Sequence, residues 1–291
     1  MVADLVAGIG SRTHGIEIDL PGVTDAKPIG RGTLWATVGP VGDGDDCITG
    51  ETTFFECGQG LYRASKGKTR LIANLFAFED EHNPDGAFGL AKDSNPYDIM
   101  PISGRAALVV DAAGNDLLRV DNRGRVDALA VFPPGDPVSI APEVELAPEA
   151  VPTSMAVGSD GYYYVGELTG FPATPDASSI WKVAPDADNP VCPSPDCTKA
   201  FDGGFTSIID LAVGPDGYLY VAELDESTWL AFTPGGTAPT GGTINKCDLD
   251  TKTCSVVADK LFFLNAITFG SDGTLWATSD FAASVEAIPT P

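Results

Sequence analysis

Short apolar runs separated by polar turns fill this chain, and one version of the pattern recurs at a fixed interval. AVGSDGYYYVGEL at 156–168 is followed 56 positions later by AVGPDGYLYVAEL at 212–224, and a more degraded copy, TFGSDGTLWATSD at 268–280, lies 56 positions further on. GTLWAT itself occurs at both 32–37 and 273–278. Self-similarity at a fixed period marks a repeat architecture, in which each unit buries its apolar face against the next. Every unit opens with a short apolar strand, turns at a Gly-containing step and enters a second strand rich in aromatic and β-branched residues. Two weaker strands follow. In the clearest unit these are TINKCDLD and KTCSVVA, an expected hairpin. The unit is therefore a four-stranded antiparallel meander of the kind that forms a propeller blade.

Five such units are predicted, with inner strands beginning near Gly15, Pro96, Pro152, Ile208 and Leu264. The expected fold is all-β, one β-propeller domain over residues 1–291, since closed all-β architectures of this length share one core. The last unit ends at SVEAIPTP, three strands in, while MVADLVAG at 1–8 reads as a strand with no unit of its own. The expectation is that this strand completes the last blade and removes an exposed edge. FAFEDEHNPDG at 76–86 predicts one or two helical turns stopped at Asn83-Pro84. The Pro-rich stretch at 133–152 reads as a crossing loop, a spacer and not a ligand clamp. Thirty-three glycines and 23 prolines suit many strands joined by turns.

Charge narrows the partners. Forty-one acidic residues against 17 basic ones give a formal net charge of -24, which excludes a phosphate-binding surface, hence nucleic acid, and docking on anionic lipid. No apolar stretch reaches the roughly 18 to 20 residues needed to span a bilayer, so no membrane insertion is expected.

Six cysteines fall into three local pairs, Cys47 with Cys57, Cys192 with Cys197 and Cys247 with Cys254. In CDLDTKTC a two-residue turn at Asp250-Thr251 would set Cys247 directly opposite Cys254, where a cross-strand disulfide can form. Zinc is the competing reading, with only His14 and His82 to add. Disulfides imply an oxidising compartment, extracellular or periplasmic. The chain opens MVADLVAGIG, without a basic segment followed by an apolar run, so the export leader is expected to have been removed or to lie outside this chain.

In a propeller blade the residues just before strand one and just after strand two share one mouth of the central channel. Aligning the inner strands puts Glu17, Asp98, Ser154, Asp210 and Ala266 at one equivalent position. Asp111, Glu167 and Glu223 are equivalent at the end of the second strand, with Val38 and Ser279 in the other two units. Carboxylates gathered in this way either raise one another's pKa or hold a cation. Oxygen-rich surroundings favour calcium or magnesium, with Glu17, Asp98, Asp210, Glu167 and Glu223 as the ligand set. Asn95, Tyr97, Thr153, Ser154 and Asn265 stand nearby as candidate ligand-binding residues, and His14, Asp98 and Asp210 as candidate catalytic groups. The bland alternative is that each acid caps a turn or binds a neighbouring backbone N–H. His82 reads as an exposed residue ending a helical turn. Asp160, Asp216 and Asp272 read as structural turn caps. No organic cofactor motif is visible.

Several segments in order, DSNPYDI (93–99), VVDAAGNDLLRVD (109–121), VPTSMAVGSDGYYYVGELTGFP (151–172) and IIDLAVGPDGYLYVAEL (208–224), together with HNPDG (82–86), resemble the ScyD/ScyE family. The resemblance implies an exported propeller related to the six-bladed NHL-repeat and gluconolactonase-like group, without a settled activity. It also departs from that family, which usually carries a further N-terminal repeat. Two functions follow as expectations. The first is a propeller that binds a small molecule, glycan or extracellular protein partner at one mouth of the channel. The second is a calcium- or magnesium-dependent hydrolase, lactonase or lyase, in which the acid ring holds the ion.

Overall fold

The structure, a computed structural model, describes residues 22–30, 32–40, 58–65, 68–103, 105–188, 190–279 and 281–290. The chain divides into two compact units, Met1–Val131 and Phe132–Pro291. The N-terminal strand expected at 1–8, His14, Glu17 and the Cys47/Cys57 pair lie outside the described residues.

Unit one holds two antiparallel blades. The first is β1 (Val23–Gly30), β2 (Thr33–Val38), β3 (Gly60–Ser65) and β4 (Lys68–Asn74), and the second is β5 (Pro96–Ser103), β6 (Ala106–Asp111), β7 (Asp116–Asp121) and β8 (Val126–Val131). Helix α1 (Leu75–His82) and a 3-10 turn (Pro84–Phe88) lie between them in sequence. As the sequence predicts, α1 stops at Asn83, which turns left-handed (φ 42) ahead of Pro84. Asn74 starts it by accepting from the Ala77 N–H at 2.9 Å.

Unit two holds three blades. They are β11 (Pro152–Val157), β12 (Tyr163–Glu167), β13 (Ser178–Val183) and β14 (Cys197–Phe205); β15 (Ile208–Val213), β16 (Leu219–Glu223), β17 (Gly242–Asp248) and β18 (Thr253–Leu261); and the three strands β19 (Leu264–Phe269), β20 (Leu275–Ser279) and β21 (Ser284–Ile288). A small exposed hairpin, β9 (Val138–Ala141) with β10 (Val144–Leu146), adds structure to the expected crossing loop, its turn made by Glu143 at φ 62.

One boundary is corrected. The strand that pairs with β2 is Val23–Gly30, not a strand opening near Gly15, so the repeat position assigned to Glu17 belongs to Asp25. The other four inner strands begin at Pro96, Pro152, Ile208 and Leu264.

The second strands β12 and β16 are buried along their whole length, which is why they read as continuous apolar runs without alternation. Trp35 and Leu61 of the first blade pack on Ile99, Val109 and Leu118 of the second. In unit two Tyr164, Ile180 and Phe205 pack on Ile208, Leu219 and Val221 of the following blade. Each such fully buried side chain contributes about 1.5 to 3 kcal/mol relative to exposure. In unit two the blades approach closely at Gly166, where a Cβ would stand 2.7 Å from Ile208 Cγ2.

All five inner strands carry a register shift at the same place, after Val23, Pro96, Pro152, Ile208 and Leu264. A bulge re-aims side chains and breaks the ladder locally, and the side chains at and beside it tie one blade to the next. Thr24 donates to the Pro96 carbonyl at 2.6 Å, and Thr153 to the Ile208 carbonyl at 2.7 Å. One residue further along, Asp25 accepts from the Ile99 N–H at 3.3 Å and Asp210 from the Ile267 N–H at 2.7 Å.

The Asp-Gly turns are structural, as expected. Asp160 accepts from the Tyr162 N–H and the Tyr164 hydroxyl and pairs with Lys182 at 2.7 Å; Asp216 does the same with Tyr218, Tyr220 and Lys246. Gly161, Gly217 and Gly273 supply φ of 82, 83 and 83. Disulfides join Cys192 to Cys197 and Cys247 to Cys254. Cys247 faces Cys254 across the hairpin, although its strands end at Asp248 and Thr253 and leave a four-residue turn instead of two.

Replacing both Cys247 and Cys254 by serine should lower stability by about 2 to 3 kcal/mol, the loop-closure value for so short a ring, as read by urea denaturation. Asp210→Ala strands the N–H groups of Leu211 and Ile267 and should cost about 1 to 3 kcal/mol. A value indistinguishable from zero would remove Asp210 as a blade staple.

Candidate functional site

A carboxylate that ends a strand buried on both faces has little access to water, so most of its partners are internal. Glu167 and Glu223 close β12 and β16 and are 6% and 4% exposed. Glu167 accepts from the Trp181 indole N–H of β13. Glu223 accepts from the Thr206 N–H on one oxygen and the Asn245 amide on the other. Asp111, equivalent to both in unit one, accepts from the Ser94 hydroxyl and from the N–H groups of Asn95 and Gly114. Burial raises all three above the usual carboxylate range, Glu167 to about 7 and Glu223 to about 8, and these donors only partly offset it.

The inner-strand position behaves similarly. Asp25 and Asp210 each spend one oxygen on the N–H of their own next residue and the other on the next blade, and Lys27 stands 2.9 Å from Asp25 and 4.0 Å from Asp98. Ser154 is fully buried, and Thr153 is buried with its hydroxyl donated to Ile208. Tyr97 and Asn265 occupy the same bulge position as Thr153 and are half-buried. Asn95 lies just ahead of β5, bound through its N–H to Asp111, its side chain close against Gly39. His82 ends α1, stacked on Phe78 and exposed.

Within unit two, the candidate ligands Asp210, Glu167 and Glu223 are thus each committed to N–H donors. Among the described residues no three His, Cys, Asp or Glu side chains gather closely enough to hold a metal ion. Each carboxylate has about four lone-pair directions and spends only some of them on these N–H groups, but the acids stand apart, and a calcium or magnesium site needs several oxygens on one point. His14 and Glu17 lie outside the described residues.

Unit two does present an open cavity of about 450 Å³ beside Glu223. Asp176, Glu226, Asp259, Asn245 and Thr243 line it with Glu223, and Lys260 is its one basic group. It is built from the loop after β16 and the outer strands β17 and β18, so it lies away from the inner strands. Asp225 shapes that loop, accepting from Ser227, Thr240 and Gly241. Glu223 is the single point where the sequence-predicted site and this cavity coincide. Glu226 and Asp259 carried no repeat signal, because they sit in a loop and an outer strand that differ between units. Asp25 did carry one: the inner strand starts 10 or 11 residues ahead of the second strand in every blade, and Val23 satisfies that spacing before Thr33 where Gly15 does not.

No protein-family model matches the chain, and no curated protein sequence matches it. Similarity to solved structures is extensive but distant. Virginiamycin B lyase from Staphylococcus aureus, solved as an inactive variant with quinupristin, aligns over 96% of this chain and 75% of its own at 16% identity and a TM-score of 0.54. A streptogramin B lyase structure aligns over 94% and 68% at 15% identity and the same TM-score. A Bacteroides thetaiotaomicron protein of unknown function aligns over 90% and 57% at 12% identity and 0.52. At such identities the likeness carries the architecture and not the chemistry. The fold is that of a β-propeller, with five antiparallel blades in this chain.

Proposed function

We propose that this chain is a ligand-binding propeller of the ScyD/ScyE kind, exported to an oxidising compartment, and that its cavity beside Glu223 takes a small polar molecule of cationic or hydroxylated character. The observation that carries the reading is the cavity itself. It combines about 450 Å³ of open space with carboxylates and amide or hydroxyl groups suited to ammonium and hydroxyl donors. The two disulfides support the assigned compartment. An excess of 24 negative charges favours approach of a cation over an anion.

Binding is favoured over metal-dependent hydrolysis or lyase chemistry because Asp210, Glu167 and Glu223 already serve N–H donors. In the binding reading Glu223 holds the cavity wall by fixing Thr206 and Asn245, while Glu226 and Asp259 meet the ligand.

A thermal-shift titration with putrescine, glucosamine and glucose at millimolar concentration tests this. Saturable stabilisation is expected from the amines or the sugars, of roughly 5 °C at a hundredfold excess over Kd. Glu226→Gln combined with Asp259→Asn should remove it without lowering the Tm of the free protein. No shift from any of the three would sink the cavity as a small-molecule site. A shift produced instead by calcium or magnesium, and lost in Asp98→Asn with Asp210→Asn, would restore the metal-dependent reading.

A further inference from the structure

Among the described residues the largest concentration of buried carboxyl groups lies within unit one. Four elements each send one carboxyl group inward: Glu79 from α1, Asp85 from the 3-10 turn, Asp111 from the end of β6 and Asp116 from the start of β7. Their exposures are 2%, 0%, 2% and 1%. Asp111 is served by three donors, and Asp85 accepts from the Asn115 amide at 3.0 Å. One oxygen of Glu79 and both oxygens of Asp116 have no hydrogen-bond partner at all.

Among the described residues no ion pair reaches Glu79 or Asp116; the charge of Lys92 favours ionised Glu79 but is outweighed by burial and by Asp85, Asp111 and Asp93. Asp93, in the loop before β5, adds a further negative charge toward Glu79. Lys92, its neighbour, is exposed and turned to Asp80 at 3.1 Å. Arg119 is three residues along β7 from Asp116, and alternation along a strand sends it to the opposite face. Among the described residues no cluster of three ligating side chains stands close enough to hold an ion. An isolated ionised carboxylate in such surroundings is far more costly than a protonated one, so the group takes up a proton. A neutral acid also no longer repels the carboxyl groups around it.

We propose that unit one is held by a buried carboxyl cluster in which Glu79 and Asp116 are neutral acids in the folded protein, making this unit an acid-stabilised, alkali-loosened module. The electrostatics agree with the geometry. Burial, and then the charges of Asp85, Asp111 and Asp93, push Glu79 up to about 8, and burial with Asp111, Glu79 and Asp85 pushes Asp116 well above the carboxylate range. The sign follows from linkage. A carboxyl whose folded pKa exceeds its unfolded one binds more protons when folded. Its stabilising contribution is therefore complete below the unfolded value of 4.5 and is lost as pH rises toward about 8.

The test is thermal unfolding of the full chain in EDTA from about pH 5 to about pH 8.5, with a fall in Tm of at least roughly 5 °C expected. The neutral isosteres Glu79→Gln and Asp116→Asn should flatten that fall. Surface repulsion from the remaining acids is nearly unchanged by a single substitution, so a slope preserved in both variants overturns the proposal. Amide exchange of the wild-type chain gives a reading that needs no variant: residues 75–88 and 106–121 should lose protection toward pH 8.5, after correction for intrinsic rates, more than the last blade, β19 to β21, which holds no raised carboxyl. Equal loss in that blade also overturns it. So does calcium or magnesium restoring the alkaline Tm of the wild type but not of the variants, which would make the cluster a cation site.

Discussion

A second blade strand buried on both faces leaves little water for the groups at its end, and much of this molecule follows from that constraint. The apolar residues of β12 and β16 satisfy it by packing. Glu167 and Glu223 cannot, so each must recruit donors, Trp181 in one case and Thr206 with Asn245 in the other. What looks along the sequence like a repeated reactive group is in place a repeated polar anchor, because burying an unpaired carboxylate costs more than the hydrogen bonds that satisfy it.

The bulge near the start of every inner strand is the second recurring device. It turns Thr24 and Thr153 toward the following blade's carbonyl and leaves Asp25 and Asp210 to take the next N–H. Apolar packing between blades is non-directional, whereas these bonds fix one strand against the next at a set register. Where the equivalent position is Ser154, the Thr153 bond and apolar packing hold the next blade without an acid. The two devices account for acids that a metal-centred reading would otherwise claim.

Unit one follows a different course at the equivalent end. Asp111 is fully hydrogen-bonded, yet Glu79, Asp85 and Asp116 arrive beside it from separate elements. Glu79 sits in EDEHNPDG and Asp116 in AGND, segments that read locally as a helix end and a turn. Neither carries a sign of burial, since acidic residues at such places normally face water. The cavity in unit two was equally silent, for Glu226 and Asp259 come from a loop and an outer strand outside the repeat.

The periodicity alone determined the blade as the unit, four of the five inner strand positions, the turn roles of Asp160 and Asp216, and the pairing of Cys247 with Cys254. These are local or repeated features, specified by alternation, turn chemistry and hairpin register within a few residues. The first inner strand was missed because GIEIDLP resembles a strand as well as VTDAKPIG does; the spacing of 10 or 11 residues to the second strand separates the two, and pairing with β2 shows which is used. Tertiary structure alone decided which carboxyls meet a donor, which face a cavity and which are buried against one another. Those outcomes depend on burial and on neighbours distant in sequence, and the same aspartate or glutamate letter serves all three.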